Sequence, residues 1–201
     1  MDKPISLTAI PFALSWDIPP QQWQLEPDET LAITAGPITD LFTDPGGTVV
    51  KNDSSRLLFA PPAEFVLSAR VTVDFASTFD AGVLVLYAGP DFWAKLCFEF
   101  SPQGQPMVVS VVNRHLSDDC NSVVINGNSV YLRIAGLGQA FAFHYSTDGQ
   151  TWHMVRYFSL GQPDSLRAGF SAQSPTGQSC TARFSAIDFA ARRLAELRDG
   201  S

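Results

Sequence analysis

Cysteine is scarce in this 201-residue chain: Cys97, Cys120 and Cys180 are an odd three with no regular spacing, which excludes a disulfide framework and a multi-cysteine zinc site. Reduced thiols in a reducing compartment follow. Positive charge is also short. Thirteen Lys and Arg stand against twenty Asp and Glu, for a net charge of −7, and no basic run exists that could displace counterions from phosphates, so a nucleic-acid partner is not expected. No apolar run is long enough to span a bilayer, and the opening "MDKPISLTAIPFALSW", with its acidic second residue and two prolines, does not read as a signal peptide. No membrane contact and a cytoplasmic location are therefore the expectations. Helical periodicity is missing until the last residues, and no phosphate loop is present, because "GLG" and "GPDF" lack the further glycines and the lysine.

What the chain has is short alternating segments punctuated by Gly, Pro, Asn and Asp. "FVLSARVTVDF", "AGVLVLYAG", "FWAKLCFEF", "MVVSVVNRH" and "AFAFHYSTDGQTWHMVRYFSL" each read as one or two strands. Asp148-Gly149 signals a hairpin, and Asn126-Gly127 gives a comparable signal. Ten or more closely spaced strands predict an all-β fold, a two-sheet antiparallel jelly-roll sandwich. Only "AARRLAELRDG" at 190 to 200 looks helical, a short C-terminal helix serving as a packing cap or a frayed tail. With no linker, repeat or composition shift, one domain over residues 1–201 is expected, its core at about 12–189.

The segment "FWAKLCFEF" points to a site. On the two-residue period of a strand, Phe92, Ala94, Leu96, Phe98 and Phe100 share a core face, while Trp93, Lys95, Cys97 and Glu99 share the other. Lys95 and Glu99, four residues apart, are separated by roughly 13 Å, too far to pair directly. Either that face is solvated, or it lines a concave groove in which Trp93 is an aromatic plate, Lys95 a donor and Glu99 an acceptor for a polyhydroxylated ligand. A hairpin closing over "SPQGQP" would bring Arg114, His115, Asp118 and Asp119 near Glu99, although Asp118 and Asp119 serve equally well as turn residues. A retaining glycosidase would need two carboxyl groups about 5 to 5.5 Å apart. His144, on a strand of its own, reads as a hydrogen-bonded structural residue or a site residue. The spacing of His115, Asp118, Asp119 and Cys120 fits no recognised metal site, and no metal or cofactor is expected.

Taken in order, "FALSWDIPPQQW", "GPITDLFTDP", "DAGVLVLYAGPDFWAKLCFEF", "SVVNRHLSDDCNS", "VYLRIAG" and "AGFSAQSPTGQSCTARFSAIDF" resemble successive blocks of a bacterial and fungal family labelled "regulation of enolase", a domain-of-unknown-function family of the concanavalin A-like lectin/glucanase superfamily. The resemblance covers roughly residues 12–189. Its aromatic-x-Lys-x-x-x-Glu strand falls on Trp93, Lys95 and Glu99. Its Ser-Asp-Trp loop falls on Ser117 and Asp118, with Asp119 where tryptophan is usual, which removes an aromatic plate. A Tyr-Ser-x-Asp-Gly-x-x-Trp hairpin with a following Arg falls on Tyr145, Ser146, Asp148, Gly149, Trp152 and Arg156, where Asp148 and Gly149 serve the turn and Trp152 is expected in the core. The resemblance implies a concave sheet used by many superfamily members for carbohydrate. It implies no activity, because the glucanase Glu-x-Asp-x-x-Glu strand is absent: Glu99 is followed by Phe100, Ser101, Pro102 and Gln103.

The expected function is thus non-catalytic binding of a carbohydrate or small polar or anionic metabolite by Trp93, Lys95, Glu99, Asp118, His144 and Arg156 in a concave-sheet groove. A glycan, a sugar acid or a sugar phosphate is the expected partner, since Lys95 and Arg156 suit an anion as well. The alternatives are a glycoside hydrolase or lyase, with Glu99 as acid/base and Asp118 or His144 beside it, and a regulatory module with a protein partner.

Overall fold

The computed structural model describes residues 4–161, 163 and 165–201. Its strands are β1 (Ile5–Leu7), β2 (Ile10–Ile18), β3 (Gln22–Leu25), β4 (Leu31–Ala35), β5 (Leu41–Thr43), β6 (Val50–Asn52), β7 (Ser55–Phe59), β8 (Glu64–Val73), β9 (Ala81–Tyr87), β10 (Phe92–Phe100), β11 (Pro106–Arg114), β12 (Leu116–Val124), β13 (Ser129–Leu137), β14 (Phe141–Ser146), β15 (His153–Phe158), β16 (Arg167–Gln173) and β17 (Cys180–Ala190). They form an eight-stranded sheet ordered β1-β2-β7-β16-β9-β10-β11-β12, a seven-stranded sheet ordered β15-β14-β13-β8-β17-β4-β3, and a separate β5-β6 hairpin. Every ladder is antiparallel, so the expected sandwich of two antiparallel sheets is what forms.

The main core lies between the sheets. Ala94, Leu96 and Phe98 of β10 meet Leu67, Ala69 and Val71 of β8 and Leu132 and Ile134 of β13 in one buried cluster. A fully enclosed side chain such as Phe98 contributes about 1.5–3 kcal/mol by leaving water. The eight-stranded sheet is covered on its far side too. There Val83, Val85, Trp93, Cys97, Val109 and Val111 form a second apolar cluster closed by Leu41 and Phe42 of the β5-β6 hairpin. Burial on both faces explains why β9, "AGVLVLY", is a continuous apolar run rather than an alternating one. The sheet is tight enough that a Cβ on Gly169 of β16 would stand 1.9 Å from the Leu57 carbonyl oxygen of β7, so only glycine fits there.

Three sequence expectations need correction. Asn126-Gly127 does not turn a hairpin: Gly127, at φ +98°, sits where the chain leaves β12 in one sheet for β13 in the other. Trp152 is half-buried, not core, and the Arg133 guanidinium lies over its ring at 3.5 Å. No helix occurs among the described residues. Residues 191–200 fold as turns tied to side chains of the seven-stranded sheet: His144 Nε2 lies 2.7 Å from the Leu197 carbonyl oxygen, and Arg133 Nη1 donates to the Gly200 carbonyl at 2.6 Å. Leu194 caps Val66, Ala135 and Ala142, so the packing role holds without the helix. So short a segment has little intrinsic helicity to set against such anchors.

Candidate functional site

The hairpin joining β10 and β11 closes over Ser101 to Gln105, as expected, with Lys95 beside Val111 and Glu99 beside Met107. Across β11, Val111 pairs with Asp119 of β12. Lys95, Glu99 and Asp119 therefore project on the same side of the eight-stranded sheet, and the β5-β6 hairpin rises beside them. Between hairpin and sheet lies a cavity of about 310 Å³ bounded by Asp40, Phe79, Lys95, Glu99, Asp119 and Gln173, with Asn121, Gln103 and Ser101 around it.

Lys95 forms part of the cavity floor. Although the residue is only 3% exposed, its ammonium group donates to Asp40 Oδ1 and to Gln173 Oε1, each at 3.0 Å. Burial, the largest single influence, favours the neutral amine, but the attraction of Asp40, Cys97 and Glu99 and the hydrogen bond to Asp40 together outweigh it and hold Lys95 above the ordinary lysine value. Asp40 is fixed in turn: its Oδ1 also accepts from Leu41 N–H at 2.7 Å, and its own N–H donates to Asp53 Oδ1 at 2.8 Å.

Glu99 opens onto the cavity, and no hydrogen bond from the described residues reaches its carboxyl. The protein mass around it pushes its carboxyl up to about 8, with Asp40 and Asp119 adding to the shift and Lys95 opposing it. At neutral pH Glu99 is therefore mostly protonated, a hydrogen-bond donor as well as an acceptor. Asp119, nearer the mouth, is raised for the same first reason, partial burial.

Beside Phe42 of the β5-β6 hairpin, the exposed aromatic wall of the cavity is Phe79. It sits at φ +68°, a left-handed conformation costly for a side chain with a Cβ, and is 37% exposed. Hydrogen bonds to Phe79 and to its neighbours Thr78 and Asp80 hold it there. Phe79 N–H donates to the Phe100 carbonyl at 2.7 Å, and Gln173 Nε2 donates to the Phe79 carbonyl at 3.3 Å. The hydroxyl of Thr176 donates to the Thr78 carbonyl at 2.7 Å, while the neighbouring Asp80 accepts from Ser174 Oγ at 2.7 Å and from the Ala76 and Ser77 amides.

Of the residues expected at the site, the structure brings Lys95 and Glu99 together in one cavity and places the other four elsewhere. Trp93 shares their face but is 1% exposed, packed under the hairpin with its indole N–H donating to the Pro90 carbonyl at 3.1 Å, and offers no free plate. Asp118 points away from the cavity, since alternation on β12 gives that face to Asp119. Arg156 reaches across from β15 to Asp118, with Nη2 at 2.8 Å from Oδ1 and Nη1 donating to the Asp118 carbonyl at 2.9 Å, so the two form an edge clasp between the sheets. His144 lies on β14 of the opposite sheet beneath the C-terminal turns, and burial holds it below the ordinary histidine value.

Sequence reasoning missed Asp40, Gln173 and Phe79. Nothing local marks Asp40 or Gln173, which lie 55 and 78 residues from Lys95. The "STFDAG" turn signal hints only that the chain bends near Phe79.

The fold and site define a two-sheet antiparallel β-sandwich with a polar pocket on the outer face of one sheet. The chain belongs to the family described as "Protein of unknown function (DUF1349)", whose model matches residues 16–192. Among solved structures, it is similar to a functionally unknown protein from Saccharomyces cerevisiae, at 21% identity and TM-score 0.81, over 89% of this chain and 96% of that one. A GH43 protein from Bacillus licheniformis is similar at 17% identity and TM-score 0.70, over 86% of this chain; the match spans 35% of that protein. An alginate lyase from Klebsiella pneumoniae is similar at 14% identity and TM-score 0.56, over 84% of each chain. Likeness at these identities shows the fold alone. No curated protein sequence matches the chain. No helix among the described residues is long and apolar enough to cross a membrane.

Proposed function

We propose that this protein binds a carbohydrate end, or a polyhydroxylated metabolite of similar size, without turning it over, in the cavity between the β5-β6 hairpin and the eight-stranded sheet. One observation carries the reading. A cavity of about 310 Å³ sets an exposed aromatic ring, Phe79, against uncharged or charge-compensated polar groups, Glu99, Gln173, Asn121 and the Lys95-Asp40 pair. Sugars present this combination, with C–H faces that pack on a ring and hydroxyls that both donate and accept. The volume lies at the lower limit of ligand pockets and suits one or two sugar rings. The resemblance to the concanavalin A-like superfamily, many of whose members use a sheet face for carbohydrate, supports the reading.

The hydrolase alternative finds less support. Asp118 and His144 lie outside the cavity, and Glu99 and Asp119 are separated at their Cα atoms by two strand spacings and four residues, roughly 16 Å. That is wide for the close carboxyl pair of a retaining enzyme. A protein-docking role has less to rest on. Of the most exposed large apolar residues, Val50, Tyr157 and Leu116, the first and last lie on neighbouring elements, Val50 pairing with Thr43, whose N–H donates to Ser117 Oγ at 3.0 Å. Two such residues make a small patch.

A thermal-shift screen against mono- and disaccharides tests the proposal. A ligand at about 100 times its Kd stabilises by about 2.7 kcal/mol, or about 5–10 °C for a chain of this length. Phe79→Ala and Glu99→Gln should reduce the shift. If no sugar raises Tm in the wild-type protein, the proposal fails.

A further inference from the structure

We infer that Asp40 sets the charge preference of this pocket: by holding Lys95 in an ion pair, it makes the site select neutral sugars over sugar acids and sugar phosphates. The inference rests on the carbohydrate reading above and narrows it to a ligand class.

The charged groups around the cavity are mostly acidic. Lys95 is the one cation among the described residues lining it, and three carboxyl groups, those of Asp40, Glu99 and Asp119, face it. Of the three N–H bonds on the Lys95 ammonium, one goes to Asp40 and one to Gln173, which leaves a single donor for a ligand. An anion needs several donors or an unpaired cation to replace its hydration, and here it would meet a spent lysine among acidic neighbours. A neutral hydroxyl has no such requirement. It can accept the remaining Lys95 N–H and donate to a carboxyl oxygen. Arg156, the other cation expected to attract an anion, is occupied outside the cavity by Asp118 and by the Ser110 carbonyl at 3.4 Å.

Asp40 cannot swing aside to release the lysine. It lies at the root of the β5-β6 hairpin, where its carbonyl oxygen accepts from Asp53 N–H and Ser54 N–H, both at 3.0 Å, while Leu41 N–H shares the oxygen that Lys95 uses. Gln173 is oriented as firmly, with Nε2 spent on the Phe79 carbonyl and Oε1 turned to the ammonium. Selection against anions is thus built from a fixed, already satisfied pair, so that discrimination comes from what a wrong ligand would leave unpaired.

The test is titration calorimetry near neutral pH with matched pairs: methyl hexopyranosides of gluco, galacto and manno configuration against the corresponding hexuronides, and glucose against glucose 6-phosphate. The neutral member of a binding pair should bind at least about tenfold more tightly than its charged partner. Asp40→Asn keeps the acceptor for Leu41 N–H but removes the charge, and in this variant the gap should shrink at least about tenfold, with part of the change a gain in affinity for the anion. Equal or tighter binding of uronides or the phosphate by the wild-type protein would overturn the inference while leaving the carbohydrate reading intact. An unchanged gap in a folded Asp40→Asn protein would also overturn it, and the wild-type comparison decides the matter if the variant does not fold. If no sugar of either kind binds, the carbohydrate reading fails and takes this inference with it.

Discussion

Lys95 Nζ and Asp40 Oδ1 meet at 3.0 Å across 55 residues of chain, so a single ion pair ties the hairpin that covers the pocket to the sheet that floors it. The pair is asymmetric: the lysine side chain is 4% exposed and the aspartate 18%. Loss of the aspartate strands a buried charge, whereas loss of the lysine leaves a carboxylate that water can reach.

Asp40→Asn alone should therefore cost about 3 kcal/mol, near the lower limit for breaking a buried pair because Gln173 Oε1 still accepts from the ammonium. The double variant Lys95→Met/Asp40→Leu should lose less than the sum of the two single changes, since no charge is left unpaired. Denaturant unfolding of the four proteins measures the coupling, and additive losses would show the pair to be uncoupled.

Glu99 makes stability fall with rising pH between about 4.5 and 8. Its folded value, about 8, lies above its unfolded value near 4.5, so between those limits the folded state holds a proton that the unfolded chain has lost. Stability from this group is intact below about 4.5 and declines as pH rises through 8. Glu99→Gln removes the proton linkage, so the Tm of the variant relative to wild type should climb from pH 4.5 to pH 8.5. A parallel pair of Tm-pH curves would contradict it.

His144 works in the opposite sense. Burial first, and Arg133 nearby, hold it below the ordinary histidine value, partly offset by its bond to Leu197 and by Asp199. Below about 6.5 the unfolded chain takes up a proton that the folded state refuses, so stability is full above that pH and falls as pH drops towards the folded value. Its Nδ1 is buried with no partner, so protonation there would create an unsatisfied donor. His144→Gln, which can still donate to the Leu197 carbonyl, should flatten the loss between pH 7 and pH 5 in thermal melts. Removal of residues 191–201 should abolish the same step and expose Val66, Ala135 and Ala142.

The strand "FWAKLCFEF" was legible because alternation is a local property: its core face and its Lys95-Glu99 face fall as the two-residue period requires. Asp118 and Asp119 show where that logic stops. Which of them faces the pocket depends on the tight turn at His115, φ +68°, which pairs Arg114 with Leu116 and so fixes the parity of β12. Two adjacent aspartates cannot announce that parity. His144 and Arg156 went astray for a larger reason, the crossing at Asn126-Gly127 that sends all later strands up to β15 to the other sheet. Asp40 and Gln173 are brought to Lys95 by topology alone, and no spacing in the chain encodes contacts between residues so far apart.

Phe79 separates stability from binding. Its φ of +68° costs a residue with a Cβ of order 1–3 kcal/mol, a cost glycine largely avoids. Phe79→Gly relieves that strain while losing a ring that is 37% exposed, so its stability should stay within about 1 kcal/mol of wild type. Phe79→Ala loses the ring and keeps the strain, and it should be the less stable of the two variants by about 1 kcal/mol. Both remove the aromatic wall and should weaken sugar binding at least about tenfold, to similar extents. Equal stability of the two variants would mean that the backbone relaxes at position 79. Sugar affinity unchanged in both would move the aromatic contact, and with it the ligand, away from this wall of the pocket.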